Sequence, residues 1–203
     1  NLIIGRSGAG KTVLLKILVG LYGPTSGIVW YDDVNFTSLD KKKVRDIRMS
    51  VGMLFQGTAL FDSMTVEENI RFPMDMFTNK TQKEKLDRVN YCLERVNLTG
   101  VNQKYPSQLS GGMQKRAGIA RAIVLEPTYL FCDEPNSGLD PKTSLVIDEL
   151  IHDITQENNI TTIINTHDMN SVMEIGDNIA LLHDGYLAWE GNKEEVLTSN
   201  NEI

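Results

Sequence analysis

The residues best suited to bind a ligand stand near the start of the chain, in Gly5-Arg6-Ser7-Gly8-Ala9-Gly10-Lys11-Thr12. Apolar residues 2–4 precede this segment and a helical pattern from Val13 to Leu18 follows it, so it is predicted to join a strand to a helix. The glycines let backbone N–H groups turn toward an anion, the helix N-terminus adds partial positive charge, and Lys11 adds a full charge. Thr12 offers a hydroxyl to Mg²⁺, which prefers oxygen ligands. The segment therefore predicts a site for phosphate and magnesium.

A second candidate for anion binding is Leu109-Ser110-Gly111-Gly112-Met113. Ser110 is a good N-cap for a helix predicted to run through Leu125, and the two glycines let a ligand approach the backbone closely. No lysine accompanies them, and no neighbouring hydroxyl is suited to a metal. Taken alone, the segment fits an ordinary capped helix better than a ligand site.

Two adjacent carboxylates, Asp133 and Glu134, follow the apolar residues 129–132. Carboxylates are rarely placed at the end of a buried strand without a use. Asp133 is the expected Mg²⁺ partner, directly or through water, and Glu134 is expected to orient or deprotonate an attacking water. The alternative is a strand that simply runs into an acidic turn.

His167 ends the predicted strand Thr161 to Thr166. The carboxyl ends of parallel strands lie at one edge of a sheet, so His167 is expected beside the glycine-rich loop and Asp133, within reach of a terminal phosphate. The other two histidines, His152 and His183, are assigned to a helix surface and a turn.

Bulk properties narrow the class of protein. The 203 residues suffice for one core with an inserted subdomain. A net charge of −7 argues against a nucleic-acid partner, and the run Lys41-Lys42-Lys43 is interpreted as the solvated face of a short helix capped by Ser38. Two cysteines, Cys92 and Cys132, support neither a disulfide framework nor a zinc cluster. No apolar run approaches the length of a membrane span, so any membrane role is expected to run through a partner.

The elements that must position these residues follow from the hydrophobic pattern. Strands are predicted at Ile28 to Tyr31 and Val51 to Phe55. From Gln56 to Leu125 the pattern is helical, with capping boxes at Thr65/Glu68 and Thr81/Glu84 and an apolar stripe of Leu86, Val89, Leu93 and Val96. Beyond Pro127 strands alternate with helices, and a terminal hairpin is predicted through His183-Asp184-Gly185. This alternation predicts a mostly parallel sheet covered on both faces.

The ordered series of these motifs resembles the ATPase subunit of ATP-binding cassette (ABC) transporters. It comprises the glycine-rich loop, Gln56, residues 109–112, Asp133-Glu134, Ser137-Gly138-Leu139-Asp140 and His167. The resemblance implies an α/β fold, a P-loop NTPase with a RecA-like core and a mostly parallel sheet. It also implies an inserted all-helical ABC subdomain and a small C-terminal β-hairpin. We expect one domain, with residues 1–56 and 125–203 as the nucleotide-binding core and 57–124 as the helical subdomain.

The same resemblance implies that ATP and Mg²⁺ are the ligands and that two subunits pair head to tail. Each ATP then lies between one subunit's glycine-rich loop and the partner's Ser110, Gly111 and Gly112. Gln56 is implied to sense Mg²⁺ and the attacking water, and His167 to hold the γ-phosphate. Asp140 is implied to communicate across the interface. Closure on ATP and opening after hydrolysis would drive a membrane permease that docks on the helical insertion near Gln56.

The sequence departs from the family pattern at two positions and lacks one feature. Met113 stands where many members have glutamine, and Asn136 where threonine is common. The chain begins with Asn1, and the aromatic residue that stacks on adenine in this family would lie upstream, so we expect the sequence to lack its beginning. Stacking on a base contributes about 1–3 kcal/mol, which predicts about 5- to 150-fold weaker nucleotide binding without it.

The segment Leu54 to Val66, with Ala59-Leu60-Phe61 after Gln56, resembles the Mla and Mce-type lipid-transport ATPases, as does Met113 with Lys115-Arg116. This finer resemblance implies phospholipid transport, a permease dimer and an Mce-domain lipid carrier. It implies a location on the cytoplasmic face of the bacterial inner membrane, held there through the permease. The patch that includes Leu60 and Phe61 fits internal packing or permease docking equally well.

Three other functions stay open. The chain fits the ATPase of a different transporter, an importer or exporter of small molecules. Non-transport cassette ATPases of chromosomes or ribosomes are disfavoured, because there is no long heptad coil and no room for tandem cassettes. A regulatory module that binds ATP without hydrolysis is disfavoured by the intact Lys11, Asp133, Glu134 and His167.

Overall fold

A six-stranded sheet forms the centre of the molecule in the computed structural model, which describes residues 1–198. The strands are β1 Leu2–Ile4, β2 Trp30–Tyr31, β3 Val34–Asn35, β4 Val51–Leu54, β5 Tyr129–Asp133, β6 Thr161–Thr166, β7 Ile179–His183 and β8 Tyr186–Gly191. The helices are α1 Lys11–Leu18, α2 Lys41–Met49, α3 Val66–Phe77, α4 Gln82–Arg95, α5 Gly111–Ile123, α6 Pro141–Glu157, α7 Met169–Ile175 and α8 Lys193–Thr198. The order in the large sheet is β4-β5-β6-β1-β7-β8, and β2 pairs only with β3.

The pairing confirms the predicted mostly parallel sheet with a terminal hairpin. In the large sheet, β4 with β5, β5 with β6, β6 with β1 and β1 with β7 are parallel pairs, whereas β7 with β8 is antiparallel. Parallel strands end at one edge, so the residues that follow Ile4, Leu54, Asp133 and Thr166 all emerge on the same side. This edge is where every loop with a predicted catalytic residue begins.

Both faces of the sheet are buried at the central strands β1 and β5, as their apolar residues predict. On β5, Leu130 and Cys132 belong to the larger core, whereas Phe131 packs with Leu15 of α1 and Phe36 in a smaller core on the other face. Successive side chains on a strand point to opposite faces, so one short apolar run fills two cores. Burial also raises the pKa of the Cys132 thiol to about 12, which makes this cysteine unreactive at neutral pH.

Helices α3, α4 and α5 lie in the segment predicted to be helical. Both predicted capping boxes are present, because Thr65 and Glu68 bond reciprocally at the start of α3 and Thr81 and Glu84 do so at the start of α4. The stripe on α4 is correct at Val89, Leu93 and Val96 but wrong at Leu86, which is exposed. Among residues 1–198, no helix is long and apolar enough to cross a membrane.

Several local predictions were wrong in detail. Helix α2 is capped by Asp40, whose carboxylate accepts from the N–H groups of Lys42 and Lys43, and Ser38 belongs to a preceding 3₁₀ turn. Of the strand predicted at Ile28 to Tyr31, only Trp30 and Tyr31 form a strand. Helix α5 ends at Ile123 rather than Leu125. His183 pairs with Tyr186 as the last residue of β7, so the hairpin turn contains only residues 184 and 185.

Candidate functional site

The glycine-rich loop leaves β1 and turns directly into α1. Gly5, Gly8 and Gly10 have φ angles of 150°, 85° and 102°, in the region that favours glycine. At Gly5 a Cβ atom would lie 2.3 Å from the carbonyl oxygen of Leu182, so a side chain is excluded there. No side chain caps the start of α1. Its first N–H groups and the positive end of its dipole are therefore available to an anion.

Lys11 is the first residue of α1, and its side chain folds back over the loop. The residue is 6% exposed, and its Nζ donates to the carbonyl oxygens of Gly5 at 2.8 Å and Arg6 at 3.2 Å. Its Nζ also lies 3.5 Å from Oε1 of Glu134. This arrangement holds a full positive charge beside the N–H groups of the loop, where a phosphate would benefit from both.

Thr12 and Asp133 meet although they are 121 positions apart in the sequence. The Thr12 hydroxyl donates to Oδ1 of Asp133 at 2.9 Å, and Nδ2 of Asn165 donates to the same oxygen at 3.2 Å. Asp133 is 3% exposed at the end of β5. A hydroxyl and a carboxylate side by side are hard oxygen donors, and a buried carboxylate beside an open cavity is favoured when a cation binds it. These residues fit Mg²⁺.

Glu134 follows Asp133 with an unusual backbone. Its φ is +50°, a left-handed conformation that costs a non-glycine residue about 1–3 kcal/mol. Its N–H donates to the carbonyl oxygen of Asn165 at 3.0 Å. The conformation turns the chain sharply at the end of β5 and brings the Glu134 carboxylate between Lys11 and His167.

His167 and Gln56 complete the same edge. Nδ1 of His167 lies 2.6 Å from Oε2 of Glu134, and the imidazole is 65% exposed. Nε2 of Gln56 donates to Oγ of Ser137 at 3.3 Å. Both side chains line the same cavity as Glu134 and can therefore reach a ligand bound there.

One cavity of about 730 Å³ collects these groups. Its lining includes Gly5, Ser7, Gly8, Gly10, Lys11, Thr12, Gln56, Glu134 and His167. Ala9 is buried beneath the loop, and Asp133 lies behind Thr12. The cavity combines a cationic amine, backbone N–H groups, hard oxygen donors and a carboxylate base. It can bind a magnesium polyphosphate and activate a water molecule.

Ser110, Gly111, Gly112 and Asp140 do not line that cavity. Ser110 caps α5, where its hydroxyl accepts from the N–H of Met113 at 3.3 Å. Asp140 caps α6, and hydrogen bonds from Thr143 lower the pKa of its carboxyl below the ordinary value. A Cβ on Gly112 would lie 2.7 Å from Cγ2 of Thr143, so these two helix starts pack closely in one chain. The ligand-binding roles predicted for them would require a ligand held outside this cavity.

Sequence reasoning missed several polar residues that support the site. Asn165 is fully buried on β6 and holds Asp133, and a lone amide at the end of an apolar strand was the available signal. Lys115 is buried on α5 and donates to the carbonyl oxygens of Gln56 and Glu134. The sequence feature that could have revealed Lys115 was a lysine close to the apolar side of its helix, the side that contains Ala117 and Ala120.

Comparison with known proteins places these features in a family. A family model described as ABC transporter matches residues 1–137. The probable ribonucleotide transport ATP-binding protein mkl of Mycobacterium leprae (strain TN) is 40% identical over 203 residues, all of this chain and 58% of that protein. The methionine import ATP-binding protein MetN of Carboxydothermus hydrogenoformans is 44% identical over 194 residues, covering 96% of this chain and 57% of that protein. The chain thus spans somewhat more than half the length of these curated relatives.

Solved structures show the same fold. A dimeric post-hydrolysis state of the ATP-binding cassette MJ0796, bound to ADP and Pi, superposes with a TM-score of 0.86 at 33% identity and covers 94% of this chain and 84% of that one. The structure of cbiO1 from Clostridium perfringens, part of the ABC transporter complex cbiONQ, superposes with a TM-score of 0.88 at 32% identity. The match covers 98% of this chain and 78% of that one. The predicted α/β P-loop NTPase fold is confirmed.

Proposed function

Because the chain belongs to the ABC transporter family of ATP-binding domains, as its motifs predicted, we propose that it binds and hydrolyses Mg²⁺-ATP to drive a membrane permease. The observation that supports this most is the convergence of Lys11, Thr12, Gln56, Glu134 and His167 on one cavity. ATP and Mg²⁺ are the ligands of the family, and the cavity contains groups suited to both.

In the proposed reaction, loop N–H groups and Lys11 hold the phosphates of ATP. Thr12 and Asp133 would hold Mg²⁺, directly or through water, and Gln56 would contribute to the same site. The metal neutralises charge on the phosphate oxygens when it is bound. Glu134 accepts a proton from water as the water oxygen bonds to the γ-phosphorus and the bond from that phosphorus to the bridging oxygen breaks. His167, which contacts Glu134 at 2.6 Å, supports that carboxylate and the γ-phosphate.

A second copy of the chain completes each site in this proposal. Ser110, Gly111 and Gly112 present a helix N-terminus outside the cavity, and Ser110 is exposed. A helix start favours an anion, so a partner's ATP is its proposed ligand. Asp140, at the start of α6 close to Gly112, then lies at the subunit interface.

The permease is proposed to dock in an apolar groove beside the Gln56 loop. A cavity of about 400 Å³ there is lined mainly by apolar and aromatic residues, among them Met53, Phe55, Phe61, Phe72 and Phe77. Phe61 is 43% exposed and stacks edge to face on Phe72, with ring centroids 5.1 Å apart. The groove lies in the proposed helical subdomain, residues 57–124, and along its border with the proposed core, residues 1–56 and 125–203. Docking would hold the chain on the cytoplasmic face of the bacterial inner membrane.

Phospholipid is the proposed cargo, carried by a permease dimer with an Mce-domain lipid carrier. The support is the segment Ala59-Leu60-Phe61 after Gln56, together with Met113 and Lys115-Arg116, which resemble the Mla and Mce-type ATPases. Purification of the full-length protein with its membrane partners, followed by mass spectrometry, tests this. Copurifying phospholipid would support it, whereas an amino acid or nucleotide as the bound cargo would contradict it.

Phosphate release by the purified full-length protein tests the enzymatic part of the proposal. We expect Mg²⁺-dependent release that stops with EDTA and in Lys11→Ala, because each removes positive charge from the phosphates. The matched control is Lys83→Ala, which replaces an exposed lysine on α4 and should retain wild-type phosphate release. A folded wild-type protein that binds ATP yet releases no phosphate would refute hydrolysis.

A further inference from the structure

Lys115 places a buried cation between two loops of the site. It is 5% exposed, and its Nζ donates to the carbonyl oxygen of Gln56 at 2.6 Å and to that of Glu134 at 3.3 Å. The ammonium therefore contacts the main chain of two residues whose side chains are predicted to act on the attacking water. It reaches them from α5, which neither residue belongs to.

The position of these two carbonyls explains why a donor is needed. β4 and β5 are parallel neighbours, and their pairing ends at Leu54 with Cys132. Past that point the strands separate into loops, and carbonyl groups lose the ladder N–H groups that would bond them. Lys115 supplies N–H donors to both loops two residues past that last pair, at Gln56 and at Glu134.

Glu134 needs such support more than an ordinary loop residue. Its left-handed φ of +50° is maintained only when surrounding contacts fix it. The N–H of Glu134 bonds to Asn165 at 3.0 Å on one side, and its carbonyl accepts from Lys115 on the other. The direction of the Glu134 carboxylate thus depends on the two peptide units that flank its Cα atom, one held by Asn165 of β6 and the other by Lys115 of α5.

A buried ammonium is a costly way to fill this space. Burial lowers the pKa of Lys115, and the nearby Cys132, Glu134 and Asp133 oppose that shift. An apolar side chain of similar volume would avoid the desolvation cost, so packing alone does not account for a lysine here. What the lysine adds is two directed hydrogen bonds.

We propose, resting on the proposed ATPase function, that Lys115 is a positioning residue that holds Gln56 and Glu134 in register for attack by water. Lys115 lies five residues beyond Ser110 on the same helix, about one and a half turns away. Any shift of α5 when Ser110 engages the partner's nucleotide is therefore transmitted to Gln56 and Glu134 of its own subunit. Lys115 links the two reaction centres of the dimer.

Three substitutions in the full-length protein test this role. Lys115→Met keeps the approximate length of the side chain but has no N–H donors, whereas Lys115→Gln keeps two N–H donors but has no charge. The control is Lys83→Met, which replaces an exposed lysine. Misplacing a reacting group by about 1 Å costs about 100-fold in rate, so we expect Lys115→Met to lower kcat by about 10- to 100-fold. KM and equilibrium binding of a fluorescent ATP analogue without Mg²⁺ stay within about two-fold, because the phosphate-binding loop is untouched. Lys115→Gln recovers a large part of kcat.

A double-mutant cycle separates positioning from general stabilisation. Lys115 acts partly through Gln56, so in a Gln56→Ala background Lys115→Met should cause a loss several-fold smaller than in the wild type. The inference would be overturned, with the ATPase function intact, if Lys115→Met lowered kcat by the same factor in both backgrounds or left kcat at the wild-type value. It would also be overturned if Lys115→Met weakened nucleotide binding by the same factor as it lowered kcat. Absence of hydrolysis by the wild-type protein would instead refute the proposed function and with it this inference.

Discussion

Oε2 of Glu134 lies 2.6 Å from Nδ1 of His167, and Oε1 of the same carboxylate lies 3.5 Å from Nζ of Lys11. Each oxygen of Glu134 thus faces a group from a different loop, one after β6 and one at the start of α1. The carboxylate is held in place before any substrate arrives, which reduces the reorganisation needed at the moment of reaction. It stands where it can accept a proton beside the phosphate-binding loop.

Glu134→Gln should lower the rate of ATP hydrolysis by about 10²- to 10⁴-fold, the usual contribution of a general base. The amide keeps the size of the side chain, so ATP binding and ATP-bound dimers are retained. Phosphate release together with size-exclusion chromatography in ATP measures both effects. Glu149→Gln, an exposed residue of α6, is the matched control. Hydrolysis by Glu134→Gln within ten-fold of the wild type would contradict the assigned role.

Asp133→Asn should raise the Mg²⁺ concentration needed for half-maximal hydrolysis by about 10- to 100-fold. The amide removes the negative charge that Thr12 and Asn165 now contact at 2.9 and 3.2 Å. Titration of Mg²⁺ at fixed ATP measures the shift, and binding of ATP in EDTA should stay close to that of the wild type. If the Mg²⁺ concentration needed for half-maximal hydrolysis did not change, Asp133 would not be part of the metal site.

Asp148→Asn should stabilise the protein at neutral pH by about 1 kcal/mol. Asp148 is 2% exposed, and burial raises the pKa of its carboxyl above the ordinary 3.8. A raised folded-state pKa means that the contribution of Asp148 to stability is greatest below pH 3.8 and is lost as the pH rises through its folded-state pKa. Asparagine does not titrate, so the advantage of the variant should grow with pH over that window.

Chemical denaturation between pH 4 and pH 8 measures the effect of Asp148→Asn. Ser171 donates to Oδ2 of Asp148 at 2.7 Å, and the asparagine oxygen can accept this bond in its place. Asp153→Asn, on an exposed position of α6, is the control and should show no such trend. A variant equally destabilised at every pH would contradict the assigned cost of burying the charge.

Phe61→Asp should weaken association with the permease by about 10-fold or more, since it places a charge in the apolar groove beside Phe72. Basal hydrolysis by the uncoupled protein should change by less than about two-fold, because Phe61 does not line the nucleotide cavity. Copurification from membranes measures the association. Tyr186→Asp, on an exposed aromatic residue of β8, is the control. Full retention of the permease by Phe61→Asp would place the docking surface elsewhere.

Sequence patterns predicted the parts of the site that depend on local geometry. Positive φ angles require glycine at positions 5, 8 and 10, and the apolar run of β5 ends at Asp133, so both features are visible in the residues themselves. The strand ends share one edge because they are parallel, which also follows from the alternating pattern. The same reasoning predicted that His167, which follows β6, lies at the edge where Asp133 ends β5.

Long-range contacts were not predictable in the same way. Lys115 contacts Gln56 across 59 positions and Glu134 across 19, and no periodic pattern records such pairings. Asp40 was overlooked as a cap in favour of Ser38 because both residue types cap well, and only the backbone shows which N–H groups are free. Leu86 fits the apolar stripe of α4 but is exposed, since the buried face of that helix is displaced from the stripe toward Lys85 and Cys92.

Mixing two inactive variants tests the shared reaction centre most directly. Lys11→Ala disables the phosphate-binding loop and Ser110→Arg disables the helix start that is proposed to face the partner's ATP. In a mixed dimer one composite site has both lesions and the other has neither, so the mixture should hydrolyse ATP well above either variant alone. Failure of the mixture to hydrolyse ATP, with mixed dimers shown to form, would contradict a site built from two chains.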